Sequence, residues 1–142
     1  MRGLVLFMSL LFGSLAPISA QNISYQPDPK WRAPDIAAER LNPLANRPGA
    51  AAGGKKLFLR NCAECHGDDG SGLIKKHSAD FHLPVVQQQP DGALFWKITN
   101  GNTNRGMPSF SKLPEGERWQ LVLYLRTLKA TANQPKAADI GR

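Results

Sequence analysis

The feature that most constrains this chain is the pentapeptide CAECH at residues 62–66. It contains the only two cysteines among 142 residues, Cys62 and Cys65, and His66 follows the second directly. Four interpretations are open: a disulfide, a redox-active thiol pair, half of a zinc site, or the attachment site of a c-type haem. Each describes a different protein, so other parts of the sequence have to distinguish them.

Three of these interpretations fit the sequence poorly. A disulfide between Cys62 and Cys65 would close a very small loop and would constrain little of the unfolded chain. A thioredoxin-like thiol pair needs a strand before the motif and a helix after it, whereas here a helical pattern precedes it. A zinc site needs four ligands, and the further candidates, His77 and His82, leave His66 without a role.

The haem interpretation gives all three side chains of the pentapeptide a role. The two thiols add to the two vinyl groups of the porphyrin, and the spacing of Cys62 and Cys65 on a bent helix end matches the distance between those groups. His66 then falls under the iron, where an imidazole binds it. A five-residue pattern also arises by chance, so it needs support from elsewhere in the chain.

The first twenty residues have the pattern of an export signal. Arg2 precedes an apolar run over residues 4–15, and small residues end the segment at Ala20. The run is too short to span a bilayer, so we expect cleavage after Ala20, with an uncleaved anchor as the alternative. The sequence therefore predicts an exported, soluble, periplasmic protein with no transmembrane anchor after cleavage.

Cleavage would also remove the first two of the three methionines and leave Met107. Met107 lies in the stretch NGNTNRGMPSF at residues 100–110, a predicted loop between two helices. Core methionines usually belong to apolar stripes instead. Gly106 allows the backbone to approach a porphyrin closely, and Pro108 stiffens the loop. Because methionine opposite histidine is a common ligand pair of electron-transfer haems, this placement favours Met107 as a second iron ligand.

The charge of the chain bears on its partners. The formal net charge is +7, and it is +6 without residues 1–20, from 17 basic against 11 acidic residues. The basic residues are scattered rather than clustered with aromatic residues, so we expect no nucleic-acid binding. A positive surface of this kind steers acidic partner proteins.

Four regions follow one another along the chain. After the signal peptide at residues 1–20, residues 21–52 form a proline-rich arm, which either packs on the domain or docks to a partner. A compact domain is expected over residues 53–131, followed by a flexible tail over residues 132–142. No repeats and no alternating strands are present, so the predicted fold class is all-α.

Three helices are predicted within the domain. The first covers residues 53–61, the second residues 95–100, and residues 67–89 between them are predicted as loop. The last helix begins near Pro114 and carries an apolar stripe at helical spacing, flanked by Trp119. The stripe consists of Leu121, Tyr124, Leu125 and Leu128.

Taken together, these features resemble the class I monohaem cytochromes c. The resemblance covers roughly residues 53–128 and rests on four segments in order: GKKLFLRNCAECHG, GDDGSG, GMPSF and RWQLVLYLRTL. It implies a cytochrome c-like domain of about four short helices, with long loops wrapped around one covalently bound haem c. It also implies that Cys62 and Cys65 carry the thioethers and that His66 and Met107 are the axial ligands.

The resemblance implies further contacts. The first and last helices of the family cross through a glycine and two aromatic residues, and Gly54, Phe58 and Tyr124 match those positions. A loop carbonyl accepts a hydrogen bond from the axial histidine. The sequence does not identify that carbonyl, because Pro84 comes later than the family leads us to expect, and a position near His77 is an alternative.

Weaker assignments concern side chains around the haem. Trp96 is a candidate hydrogen-bond donor to a haem propionate, with core packing as the alternative. Asn104 and Arg105 are candidates for the same role, with simple exposure to solvent as the alternative. His77 and His82 are rival distal ligands.

The functional prediction is a single-electron carrier, and not an enzyme, because two axial ligands leave no open coordination position. Its partners would be redox proteins that donate and accept electrons, and we expect a monomer. One alternative is a dedicated haem subunit or electron acceptor that docks to a periplasmic dehydrogenase or oxidase through the arm. Another is a five-coordinate haem enzyme or gas sensor, if Met107 does not bind the iron.

Overall fold

The structure is a computed structural model that describes residues 22–47 and 49–131. Among the described residues the regular secondary structure is helical, apart from one isolated antiparallel bridge between Asn102 and Met107. Two 3-10 turns lie at Ile74–Lys76 and Thr103–Arg105. The α-helices are α1 (Asp35–Ala38), α2 (Ala50–Asn61), α3 (Ala63–His66), α4 (Pro84–Gln87), α5 (Asp91–Asn100) and α6 (Glu115–Thr131). The all-α prediction is confirmed.

Two predicted regions lie outside the described residues: the signal peptide at residues 1–20 and the tail at residues 132–142. No helix in the described ranges combines the length and the apolar character that crossing a bilayer requires.

Helices α2 and α6 cross at the centre of the fold. A Cβ atom on Gly54 would lie only 2.0 Å from the carbonyl oxygen of Gln120, so the two backbones can approach this closely only at a glycine. Beside this contact the rings of Phe58 and Tyr124 lie 5.1 Å apart, and both residues are buried. The crossing that the resemblance implied at Gly54, Phe58 and Tyr124 is confirmed.

Helix α6 supplies much of the core. Acidic residues lie in its first turn and Lys129 lies in its last, which suits the helix dipole. The carbonyl of Pro114 accepts the N–H groups of Glu117 and Arg118 at the start of the helix. The predicted apolar stripe is confirmed, since all its members are buried together with Trp119: Leu121, Tyr124, Leu125 and Leu128.

Two helices begin earlier than predicted. Helix α2 starts at Ala50 rather than at residue 53, because a run of alanines, which favour helix, extends it back to Gly49. Helix α5 starts at Asp91 rather than at residue 95, because the carbonyl of Pro90 accepts the first helical N–H groups. It ends where predicted, at Gly101, whose φ is +67°.

The proline-rich arm packs along the domain. Asn42 is buried, and its Nδ2 donates a 3.3 Å hydrogen bond to the carbonyl of Trp119. Helix α1 lies against α5, where a Cβ on Gly92 would come within 2.2 Å of the Ala37 carbonyl oxygen. The guanidinium of Arg40 lies 4.8 Å from the ring centre of Phe95. The described part of the arm therefore packs against the domain.

Candidate functional site

The pentapeptide lies where two helices meet at a bend. Helix α2 ends at Asn61, Cys62 has non-helical backbone angles (φ −121°, ψ −33°), and α3 then adds one turn. The carbonyl of Cys62 accepts the N–H groups of Cys65 at 3.1 Å and of His66 at 2.9 Å. Both cysteines are free thiols of intermediate exposure. The bend places the two thiols and the imidazole on one tight turn of chain, as haem attachment requires.

The pKa of the Cys62 thiol argues against a redox-active thiol pair. Burial, and secondarily the neighbouring Cys65, raise the pKa of the Cys62 thiol to about 12. Redox-active cysteines need the opposite, a lowered pKa that yields thiolate at neutral pH. The segment that leads into the motif is helix α2, not a strand.

The zinc interpretation also finds no support in the described ranges. Nowhere among them do three or more His, Cys, Asp or Glu side chains gather in positions that would bind a metal ion. His77 is exposed. His82 instead points its Nδ1 at the carboxylate of Asp80, at 2.8 Å.

His66 has one ring nitrogen engaged. Its Nδ1 lies 3.2 Å from the carbonyl oxygen of Ala79, and because a carbonyl can only accept, Nδ1 carries the proton. Burial lowers the pKa of His66, partly opposed by that hydrogen bond, so the ring is neutral at neutral pH. The lone pair therefore resides on Nε2, which is the form that binds a metal ion. The ring of Phe81 packs beside it, with centroids 4.6 Å apart.

A closed loop brings Ala79 to His66. The N–H of Gly72 donates to the His66 carbonyl at 2.8 Å, and a Cβ on Gly72 would lie within 2.8 Å of Ala79 backbone atoms. The hydroxyl of Ser78 accepts the N–H of Leu73 at 2.8 Å and donates to the carbonyl of Cys65. Ala79 lies two residues after His77, so the acceptor is near the alternative position that the sequence indicated, although no proline marks the residue itself. A further signal was the three glycines of GDDGSG, all with positive φ, which fold this loop back.

Met107 lies in a small closed loop outside the buried core. Its N–H donates to the Asn102 carbonyl at 3.0 Å, and its carbonyl accepts the N–H of Asn102 at 2.9 Å. Gly106 has a φ of +81° with open space around its Cβ position, so glycine is needed there for the turn of the backbone. At Gly101 the situation differs, because a Cβ would lie 2.5 Å from Pro108 backbone atoms. The Met107 thioether therefore lies on a loop whose two ends are held together by backbone hydrogen bonds and close packing.

The weaker candidates for contacts with the haem lie in different parts of the structure. Trp96 lies in the wall of a cavity of ≈ 180 Å³ between α1, α5 and the start of α6, together with Arg40 and Arg118. Its role at a propionate stays a prediction. Arg105 pairs with Asp28 of the arm at 3.6 Å. That contact, and one from Trp31 to Gly101, were not foreseen from the sequence.

The residues present fit a c-type haem. Two unpaired thiols lie one turn apart, the following histidine is neutral with Nε2 available, and a thioether is held on a separate closed loop. Such a set of donors suits iron in a covalently attached porphyrin.

Comparisons with known proteins agree with this chemistry. The family described as "Cytochrome C oxidase, cbb3-type, subunit III" matches residues 49–125. The cytochrome bc1 complex cytochrome c subunit of Corynebacterium diphtheriae is 30% identical over 89 residues, which are 61% of this chain and 30% of that protein. The predicted resemblance to the c-type cytochromes is confirmed.

Shorter matches include two subunits from rhizobia. The cbb3-type cytochrome c oxidase subunit FixPc of Rhizobium leguminosarum bv. viciae is 37% identical over 59 residues, 31% of this chain and 21% of that protein. The subunit FixP of Rhizobium etli is 44% identical over 41 residues, 27% of this chain and 14% of that protein. The chain thus spans less than a third of the length of these relatives.

Proposed function

Because the chain belongs to the family described as cytochrome c oxidase, cbb3-type, subunit III, we propose that it is an electron carrier with one covalently attached haem c. Cys62 and Cys65 hold the haem through thioethers, and His66 and Met107 bind its iron. The bound haem supplies a one-electron Fe(II)/Fe(III) couple. The observation that carries the proposal is the contact between His66 Nδ1 and the Ala79 carbonyl, which orients Nε2 as a ligand.

Each residue has a distinct task in this proposal. The carbonyl of Ala79 fixes the tautomer of His66 and increases the basicity of Nε2. The bend at Cys62 brings both thiols to one side of a tight turn. Met107 contributes a thioether, which favours a raised reduction potential. With two axial ligands no coordination position stays open for a substrate, which supports a carrier rather than an enzyme.

The setting of this function is part of the proposal. The signal-like residues 1–20 support export to the periplasm and cleavage, which leaves residues 21–142 with a formal charge of +6, from 17 basic and 11 acidic residues. A positive surface favours encounter with acidic redox partners and makes the rate of that encounter sensitive to salt.

The covalent attachment is tested by acid–acetone extraction of the exported protein. The wild-type protein should keep its haem, at one haem per chain by pyridine haemochrome assay. The double variant Cys62→Ser/Cys65→Ser should retain none after extraction. Haem that leaves the wild-type protein would refute the thioethers.

The iron ligands are tested by the visible spectrum of the oxidised protein. A weak band at the red end of the spectrum is characteristic of methionine bound to ferric haem iron. It should be present in the wild-type protein and absent in Met107→Ala. The matched controls are His77→Ala and His82→Ala, which should keep the band. Its absence from the wild-type protein would refute Met107 as a ligand.

A second candidate function is a haem subunit that docks to a larger oxidoreductase through the arm. Among the described residues the three most exposed large apolar side chains all lie on the arm: Ile23 at 73%, Ile36 at 82% and Leu41 at 88% exposed. Ile36 and Leu41 lie only five residues apart, in and just after α1, and a contiguous exposed apolar patch favours protein contact. Relatives are also named as subunits of a bc1 complex and of cbb3-type oxidases.

Docking is tested with the double variant Ile36→Ser/Leu41→Ser. Deleting the whole arm is a poorer test, since it would also remove packing contacts such as that of Asn42. We would measure the rate at which membranes of the source organism reduce or oxidise the protein. Docking predicts a slower rate for the variant, with an unchanged rate of reduction by ascorbate. Equal rates with membranes would leave the freely diffusing carrier as the function.

A further inference from the structure

We propose that the first part of the arm, residues 22–31, acts as a strap that positions the Met107 loop, and that Trp31 is its principal positioning residue. This inference rests on the proposed function, in which Met107 binds the haem iron. The strap then controls how readily Met107 leaves the iron to a competing ligand.

The first contact of the strap is made by the indole of Trp31. Its Nε1 donates a 2.8 Å hydrogen bond to the carbonyl of Gly101, seventy residues further along the chain. Gly101 is buried and lies directly against the backbone of Met107 and Pro108, where even a Cβ atom would come within 2.7 Å. A shift of Gly101 is therefore passed directly to the residue that carries the thioether.

The second contact is made by Asp28. Its carboxylate lies 3.5 Å from the side-chain amide of Asn102 and 3.6 Å from the guanidinium of Arg105. Asn102 is the residue whose backbone pairs with Met107. The carboxylate is itself fixed, because its Oδ1 accepts the N–H of Lys30 at 2.9 Å. Asp28 and Trp31 thus hold the Met107 loop at neighbouring points.

The other end of the strap is fixed to the loop that follows the pentapeptide. Asn22 is buried, its N–H donates to the carbonyl of Ser71 at 3.0 Å, and its Nδ2 donates to the carbonyl of Ser78 at 2.7 Å. Ser78 immediately precedes Ala79, which orients His66. The strap therefore joins the two segments that carry the proposed ligands and limits how far they can move apart.

The ring of Trp31 is positioned separately from its N–H group. The ammonium of Lys97 lies 4.7 Å from the ring centre and is held in turn by Gln89 at 2.7 Å. The ring face of a phenylalanine also attracts a cation such as the Lys97 ammonium. The substitution Trp31→Phe therefore removes the hydrogen bond while keeping an aromatic ring in place.

The test is a titration of the oxidised holoprotein with imidazole, in which the loss of the red band is the signal that is measured. Trp31→Phe should bind imidazole about two- to tenfold more tightly than the wild-type protein, the range that loss of one hydrogen bond gives. It should also lose the band at a lower pH during an alkaline titration. Asp28→Ala should shift both readouts in the same direction by less, which keeps the inference testable if Trp31→Phe does not fold.

The matched control is Asn42→Ala. This substitution also removes a hydrogen bond from an arm side chain to a backbone carbonyl. That carbonyl belongs to Trp119 in helix α6, away from the Met107 loop. Asn42→Ala should lower global stability and leave imidazole affinity unchanged. If Asn42→Ala and Trp31→Phe changed the imidazole affinity equally, a general loss of stability would explain the effect and the inference would be overturned.

The remaining outcomes separate this inference from the proposed function. A red band in the wild-type protein with no change in Trp31→Phe or Asp28→Ala would refute the strap and leave Met107 as the ligand. No red band in the wild-type protein would refute Met107 ligation, and the strap would fall with it.

Discussion

The segment that carries Cys62, Cys65 and His66 and the segment that carries Met107 are held in different ways. The first continues helix α2, which packs closely across α6, and the loop behind it closes back onto the same turn through Gly72. The second is a six-residue loop closed by two backbone hydrogen bonds. Its outer contacts come from the arm, about seventy residues away in sequence.

This difference has a consequence for motion. Both segments depend on contacts with distant parts of the chain, namely α6 for the first and the arm for the second. The buried residues Leu57, Phe58 and Ala63 lie in or shortly before the pentapeptide, whereas Met107 is only partly buried. Segments with few buried apolar contacts open at lower free energy than the core does. We therefore expect the Met107 loop to open before the pentapeptide moves. The following predictions test that comparison, in order of decreasing effect.

The largest effect is expected at the helix crossing that supports the pentapeptide. Gly54→Ala places a Cβ 2.0 Å from the Gln120 carbonyl oxygen, so α2 and α6 must move apart. The free energy of unfolding should fall by about 3 kcal/mol or more, as in severe overpacking. Denaturant unfolding followed by far-UV circular dichroism measures it.

The control for this change is Gly116→Ala, in the first turn of α6, where a Cβ meets nothing within 4 Å. It should raise the free energy of unfolding by less than about 1 kcal/mol, because alanine favours helix. If both variants behaved alike, close contact at Gly54 would not be what holds the crossing.

The next effect is expected in the Met107 loop itself. Gly101→Ala introduces a side chain at a φ of +67° and against the backbone of Pro108, and should cost about 2–3 kcal/mol of unfolding free energy. The red band should weaken or disappear. Gly106→Ala is the control, because its φ of +81° is strained but its surroundings are open. It should cost about 1–2 kcal/mol. A larger effect at Gly106 than at Gly101 would contradict this ranking.

A smaller effect is expected where the loop behind the pentapeptide closes. Ser78→Ala removes a buried hydroxyl that joins Leu73 to Cys65, and should cost about 1–3 kcal/mol of unfolding free energy. The red band should persist, since Met107 is held elsewhere. Ser109→Ala removes an exposed hydroxyl beside the Met107 loop and should cost less, about 0.5–1 kcal/mol. Loss of the band in Ser78→Ala would show that this hydroxyl also supports the Met107 loop.

The smallest effect is expected at Asp28, and it depends on pH. The N–H of Lys30 is the main cause that lowers the pKa of this carboxyl below its ordinary value of 3.8, with help from Asn102 and Arg105. A carboxyl with a lowered pKa in the folded state adds stability above the pKa of the unfolded chain, and this is lost as pH falls through the folded pKa. Asp28→Asn should therefore be slightly less stable than wild type at neutral pH.

That difference should vanish as the pH is lowered through this window, which denaturant midpoints at a series of pH values will show. Asp35→Asn, in the first turn of α1, is the control for loss of a negative charge on the same arm. A difference between Asp28→Asn and wild type that persists at the lowest pH would assign the effect to packing.

Local chemistry explains which parts of the fold were predictable. The stripe of helix α6 was recognised because helical periodicity is written in neighbouring residues. The match of Gly54, Phe58 and Tyr124 was instead implied by the resemblance to the class I monohaem cytochromes c. The starts of α2 and α5 were predicted too late, since alanines and a proline carbonyl extended helices whose apolar pattern began further along. Short helices such as α4 in the predicted loop have too few turns to show a period.

For this protein the sequence alone determined that two cysteines and a histidine lie close together. Two cysteines and a histidine within five residues are neighbours whatever surrounds them, because even a fully extended segment of this length spans only about 17 Å. The composition of the segment around Met107 likewise indicated a loop. The tertiary structure decided which carbonyl orients His66 and what supports the Met107 loop. The residue types of Ala79 and Trp31 do not themselves indicate these roles. A backbone carbonyl looks the same in every residue, and a distant indole finds its acceptor only when the chain has folded.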